Sequence, residues 1–208
     1  MLKLRELVGT ELRWVQPHAL QREFELRSGE EPVATLAFRS AFGSLASART
    51  DEGQWTFKRV GFWRSHVTVR EAGSDTDLAV FRNNTWTAGG TLELADGRAF
   101  RANTNFWMTT YQFTDASDQP LVRFTHVGGM FHLSCAVEVE PAGVKLKELP
   151  WLLALGIYLI VKLRDDASGA AAGGAAASGC STWPGSRDGR TPSRPRAPHE
   201  YQGVTCWG

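Results

Sequence analysis

From Leu149 to Val161 the chain reads Leu-Pro-Trp-Leu-Leu-Ala-Leu-Gly-Ile-Tyr-Leu-Ile-Val, 13 residues without a charge. Lys162, Arg164, Asp165 and Asp166 close the block. A helix that is apolar on every side has to be enclosed, by lipid or by protein. As a helix this block would rise roughly 20 Å, whereas a hydrocarbon core of about 30 Å takes about 20 residues to cross. Pro150 suits a first helical turn, where its missing N–H leaves nothing unsatisfied. Glu148 at one end and Lys162 with Arg164 at the other complement the helix dipole. The block therefore predicts a helix over 149–163, ended by Asp165-Asp166. Its core residues are Trp151, Leu152, Leu155, Tyr158 and Leu159. The reading adopted is a helix buried in protein, and the alternative left open is a short membrane segment.

What could bury such a helix is written in the preceding residues. In 131–140, Phe131, Leu133, Cys135, Val137 and Val139 alternate with His132, Ser134, Ala136, Glu138 and Glu140. A period of two marks a strand with one dry and one wet side. Trp55 with Phe57, Val67 with Val69, Leu92 with Leu94 and Val122 with Phe124 repeat it. Glu52-Gly53, Gly89-Gly90, Asp96-Gly97, Ser117-Asp118-Gln119-Pro120 and Gly128-Gly129 favour tight turns between them. About twelve runs result: 12–16, 22–27, 33–39, 45–50, 54–58, 66–71, 77–82, 91–95, 98–102, 106–114, 121–126 and 131–140. Regularly spaced short strands with almost no helical pattern between them predict an antiparallel barrel or sandwich. An eight-stranded barrel is filled by its own side chains, and a wider one leaves a lumen. The expected fold is mainly β: a closed antiparallel barrel of about twelve strands around a central hydrophobic C-terminal α-helix. Six tryptophans, Trp14, Trp55, Trp63, Trp86, Trp107 and Trp151, lie in this region and would mostly fill the space between wall and helix.

On the strand count, the closing helix, Gly90-Thr91-Leu92-Glu93-Leu94-Ala95-Asp96-Gly97-Arg98, and Phe113-Thr114-Asp115 through Pro120-Leu121-Val122, residues 1–166 resemble the tubby C-terminal-like superfamily. That superfamily includes the LURP-one-related proteins and the phospholipid scramblases. The resemblance implies a twelve-stranded barrel wrapped around a hydrophobic C-terminal helix. It also implies lipid association, since tubby domains bind phosphoinositide headgroups and scramblases act at membranes. The chain carries neither an evident tubby lipid-binding motif nor the cysteine-rich stretch of scramblases.

No residue pattern singles out a catalytic centre. Neither GxxxxGK[ST], GxGxxG nor GxSxG occurs in the strand region. His132 and Cys135 are three apart on an expected strand and so face opposite sides; they read as a surface imidazole and a core thiol. His126 lies on the neighbouring strand, where a ligand role is the weaker reading. Glu138 and Glu140 share the wet face, as solvated charges. The three cysteines, Cys135, Cys180 and Cys206, give neither a disulfide framework nor a zinc cluster.

The remaining candidates are basic. Lys58, Arg59 and Arg64 flank a turn with Phe62 and Trp63 at its tip. A cationic loop bearing aromatics suits an anionic lipid surface, with rings at headgroup level and each cation worth about 1 kcal/mol; the alternative is that Phe62 and Trp63 fold back onto the barrel rim and the cations serve solubility. A net charge of +1 over 208 residues provides no chain-wide field for nucleic acid. The segment Met1–Glu6 lacks the apolar core of a secretion signal. Residues 167–208 turn to Ala/Gly and then Arg/Pro composition and read as a disordered tail. The sequence thus leads to a cytoplasmic or membrane-peripheral monomer. It is expected to be a non-enzymatic binding module without cofactor or metal, whose partner is anionic lipid or a membrane surface. The alternatives are a tail-anchored membrane protein with 149–163 in the bilayer, and an enzyme of unrecognised type acting on a small ligand.

Overall fold

The computed structural model describes residues 4, 9–19, 21–61, 65–84, 89–105, 109–126 and 133–175, with side chains as far as Ser168. The described residues form twelve strands and two helices. The strands are β1 (Leu12–Val15), β2 (Glu23–Ser28), β3 (Glu31–Phe38), β4 (Ala46–Thr50), β5 (Gln54–Val60) and β6 (His66–Glu71). They continue with β7 (Asp77–Asn83), β8 (Gly90–Leu94), β9 (Ala99–Thr104), β10 (Thr110–Thr114), β11 (Pro120–His126) and β12 (Ser134–Val139). Each of the twelve expected runs holds one strand. Every strand pairs antiparallel with its neighbours in sequence, and β12 pairs with β1, from Leu12↔Val137 to Val15↔Ser134, so the sheet closes into a barrel.

Alternation decides which side chains face inward. In β12, Cys135 and Val137 are buried and Glu138 is exposed; the same alternation buries Trp14, Phe57, Phe81, Phe113 and Phe124. Register shifts in the β2–β3, β6–β7 and β10–β11 pairs interrupt it. The extra residue of such a bulge allows two successive side chains to point inward. Val33 with Ala34 and Leu121 with Val122 are accordingly all buried. Pro32 and Pro120 stand at these shifts, where a strand tolerates a missing N–H.

After β12 a short helix, α1 (Pro141–Val144), turns the chain back, and α2 (Leu149–Ala175) follows. Every residue from Leu149 to Leu159 is buried. The helix contacts β3, β4 and β5 on one side and β10 and β11 on the other. In a ring of twelve, β4 and β10 stand diametrically opposite. The apolar block therefore runs through the lumen. Trp151, Leu152, Leu155, Tyr158 and Leu159 are all in the core. Among the described residues no helix is long and apolar enough to cross a membrane.

One expectation needs correction. Asp165 and Asp166 do not end the helix, which continues to Ala175. Their carboxylates turn sideways to Arg22 and Arg59 instead of closing the helix.

Candidate functional site

A barrel of strictly alternating strands has two ends, and the parity of the strands decides which connections belong to each. The even-to-odd connections are 29–30, 51–53, 72–76, 95–98 and 115–119. They form the end at which α2 begins, which we call the turn end. By sequence they hold Glu30, Asp51, Glu52, Asp75, Asp96, Asp115 and Asp118, with Arg98 as their only Lys or Arg and no aromatic residue. Gly97, at a φ of 86°, makes the tight turn that glycine permits. The odd-to-even connections, 16–22, 39–45, 61–65, 84–89, 105–109 and 127–133, join the strands at the opposite end, which we call the loop end; within them 20, 62–64, 85–88, 106–108 and 127–132 lie outside the described residues. By sequence they contain no Asp or Glu. They do contain Arg22, Arg39 and Arg64, together with Phe42, Phe62, Trp63, Trp86, Phe106, Trp107 and Phe131. The link from β12 to α2 adds Glu140, Lys145, Lys147 and Glu148 to the turn end, which stays acidic in balance, whereas the loop-end connections hold no acid.

At the turn end, Glu148 is only 3% exposed and is held by the Arg98 guanidinium, with Lys147 Nζ 3.7 Å away. The same guanidinium bonds Asp96 at 2.7 Å. These bonds, with the Arg98 backbone N–H, hold the Asp96 carboxyl down at about 2. The network fixes the start of α2 against the β8–β9 turn.

At the loop end α2 emerges through a collar of ion pairs. Arg22 reaches Asp165 at 2.5 Å and Arg59 reaches Asp166 at 2.9 Å, while Lys162 pairs with Asp165 along the helix at 3.0 Å. Arg22 also lies 4.1 Å over the Phe38 ring and donates to the carbonyls of Ala41 (2.7 Å) and Gly43 (3.5 Å). Deeper in, the Tyr158 hydroxyl donates to the Ser44 carbonyl at 2.6 Å, and its ring stacks on Phe38 at 5.4 Å. Burial pushes the Tyr158 hydroxyl pKa up, so it remains a donor. Beside the helix, an apolar recess of about 250 Å³ opens between Tyr111, Phe124, Ile160 and Leu163, with Thr104 and Arg164 also lining it.

The basic candidates separate on the structure. Lys58 is exposed on the outer face of β5, whereas Arg59, the next residue along the strand, turns to the collar and Asp166. Phe62, Trp63 and Arg64 lie outside the described residues. Sequence reasoning missed Arg39 and Phe42. Both lie in the 39–45 connection, beside the end of β5, and both are exposed, Phe42 completely. Their signal is the one used for 58–64, a cation and an aromatic between two strands, although Arg39 falls inside the expected run 33–39.

The residues weighed for catalysis sit as follows. Cys135 is fully buried and its thiol is pushed up to about 12 by desolvation, which makes it a core residue. His126 stands opposite Cys135 in the β11–β12 register, and His132 lies outside the described residues. Glu138 is exposed and pairs with Arg123 at 3.3 Å. Among the described residues no group of three His, Cys, Asp or Glu is placed to hold a metal ion.

Comparison of the chain with protein-family models, with curated proteins and with solved structures finds no match.

Proposed function

We propose that this chain is a non-enzymatic binding module with a barrel of the tubby C-terminal-like kind, and that its loop end engages anionic lipid headgroups at a membrane surface. The observation that carries the reading is the segregation of charge and aromatics between the two ends. An anionic surface repels the acidic turn end. The loop end brings cations and rings, and the only acids that α2 brings there, Asp165 and Asp166, are each paired with a wall arginine. Aromatic side chains settle at headgroup level, and each cation near an anionic leaflet contributes about 1 kcal/mol. Closure of the sheet supports the same choice, because a barrel has no free edge for a partner strand and its lumen already holds α2. Recognition then falls to the rim. On this reading the protein is peripheral to the membrane.

Co-sedimentation of the full chain with liposomes tests the proposal. Vesicles containing phosphatidylserine should pellet the protein at low salt and release it as salt rises, since exposed charges are screened within about 10 Å at 0.1 M. Equal recovery in the supernatant with neutral and anionic vesicles at low salt would remove the lipid reading.

A further inference from the structure

We infer that Phe42 is the side chain this end inserts into the bilayer interface, with the exposed Arg39 and Lys58 contacting lipid phosphates. The inference rests on the lipid reading above and names the part of the rim that carries it.

Among the described residues only Phe42 and Val60 are large hydrophobics left exposed, Phe42 completely and Val60 at 38%. Scattered apolar residues on a surface need no explanation. These two are not scattered: they sit at the same end, on adjoining segments. Ser44 Oγ donates to the Arg59 carbonyl at 3.3 Å, tying the 39–45 connection to the end of β5.

The manner in which Phe42 is held carries the argument further. Arg39 N–H bonds the Leu45 carbonyl at 2.9 Å, closing the connection at its base. Arg22 grips the Ala41 and Gly43 carbonyls, one on each side of Phe42, while its other nitrogen holds Asp165 of the helix. Tyr158, from inside the barrel, donates to the Ser44 carbonyl. The connection is thus tied down by Arg22 and Tyr158, and its one aromatic ring stays exposed. Holding an apolar group in its bound position before the partner arrives lowers the ordering cost of binding.

Charge selects the occupant. Neither 39–45 nor 57–65 contains an acidic residue. Arg39 and Lys58 are both exposed, and neither forms an ion pair with a described residue. An exposed ring on the same side of the barrel end as two exposed cations fits a deformable anionic interface, which provides acyl carbon for the ring and phosphate for the cations.

The test uses the full chain and vesicles of phosphatidylcholine with or without phosphatidylserine. Phe42→Ala should bind anionic vesicles about tenfold more weakly, as expected for losing one inserted aromatic ring. Phe42→Trp should bind at least as well as wild type, and acyl-chain-brominated vesicles should quench its emission more than that of wild type. Arg39→Glu with Lys58→Glu should abolish the preference for the anionic vesicles. Because all three residues are exposed, thermal unfolding should be unchanged, which separates a binding defect from a folding one. If wild type binds and both the Phe42→Ala and the double charge variant bind equally well, Phe42 is not the anchor and the broader lipid reading stands. If wild type does not bind, the lipid reading falls and takes this inference with it.

Discussion

Arg98 is the residue on which the start of the central helix turns. It neutralises the buried Glu148, and it holds Asp96 at its own turn. The sign of the Asp96 contribution follows from its depressed pKa. The folded carboxyl titrates at about 2, below the unfolded value near 3.9, so the unfolded chain binds the proton first as pH falls. The stabilisation is therefore complete above about pH 4 and lost as pH falls to about 2. Asp96→Asn should lower the urea midpoint relative to wild type at pH 6, and the gap between the two should close toward pH 2. A gap that persists at pH 2 would show that the carboxylate charge is not what matters. The sequence marked Asp96-Gly97 as a turn and Glu148 as a helix-end charge. That one arginine joins them was not legible, because Arg98 and Glu148 are 50 positions apart and only the closed barrel brings the β8–β9 turn beneath the helix.

At the level of elements, α2 is fitted to the wall by what it lacks. Gly156 lies midway along the buried block, and a methyl group there would overlap the Phe124 ring of β11. Helix propensity favours alanine over glycine by about 1 kcal/mol, whereas forcing a methyl into a packed core costs about 1–3 kcal/mol. Contact with a ring that is itself fully buried makes the second effect the larger. Gly156→Ala should lower stability by about 1–2 kcal/mol in denaturant unfolding, and adding Phe124→Leu should recover part of it, a coupling a double-mutant cycle reads. A stabilising Gly156→Ala would mean that the helix does not press on β11. The start of this element was legible from Pro150 and the unbroken apolar run. Its end was not. Lys162 to Asp166 look like a stop signal in one dimension, and only in three do Asp165 and Asp166 become the helix's half of a collar with Arg22 and Arg59.

For the molecule as a whole, the twelve strands were legible because a barrel wall dry on one side imposes a period of two, and inward residues such as Trp55 with Phe57 or Val67 with Val69 follow it. The places where that reading is loose are physical too: at Val33-Ala34 and Leu121-Val122 a bulge turns two neighbours inward, which alternation alone cannot forecast. The polarity of the two ends lay in the sequence as well, but it emerges only when connections are sorted by strand parity, and a local window around Lys58–Arg64 sees one loop of six. Phe42 escaped for that reason. The proposed rim interaction depends on this geometry, since a helix outside the wall would leave Asp165 and Asp166 without Arg22 and Arg59 and the 39–45 connection without Tyr158.

Native-state hydrogen exchange of the backbone amides in Leu152–Val161 tests this arrangement most directly. Enclosed by the closed sheet, these amides should exchange only when the barrel opens globally, with the same free energy as the central amides of β5 and β11. Exchange at a markedly lower free energy than those strands would mean that the apolar helix leaves the lumen while the barrel stays folded, contradicting a core built jointly by wall and helix.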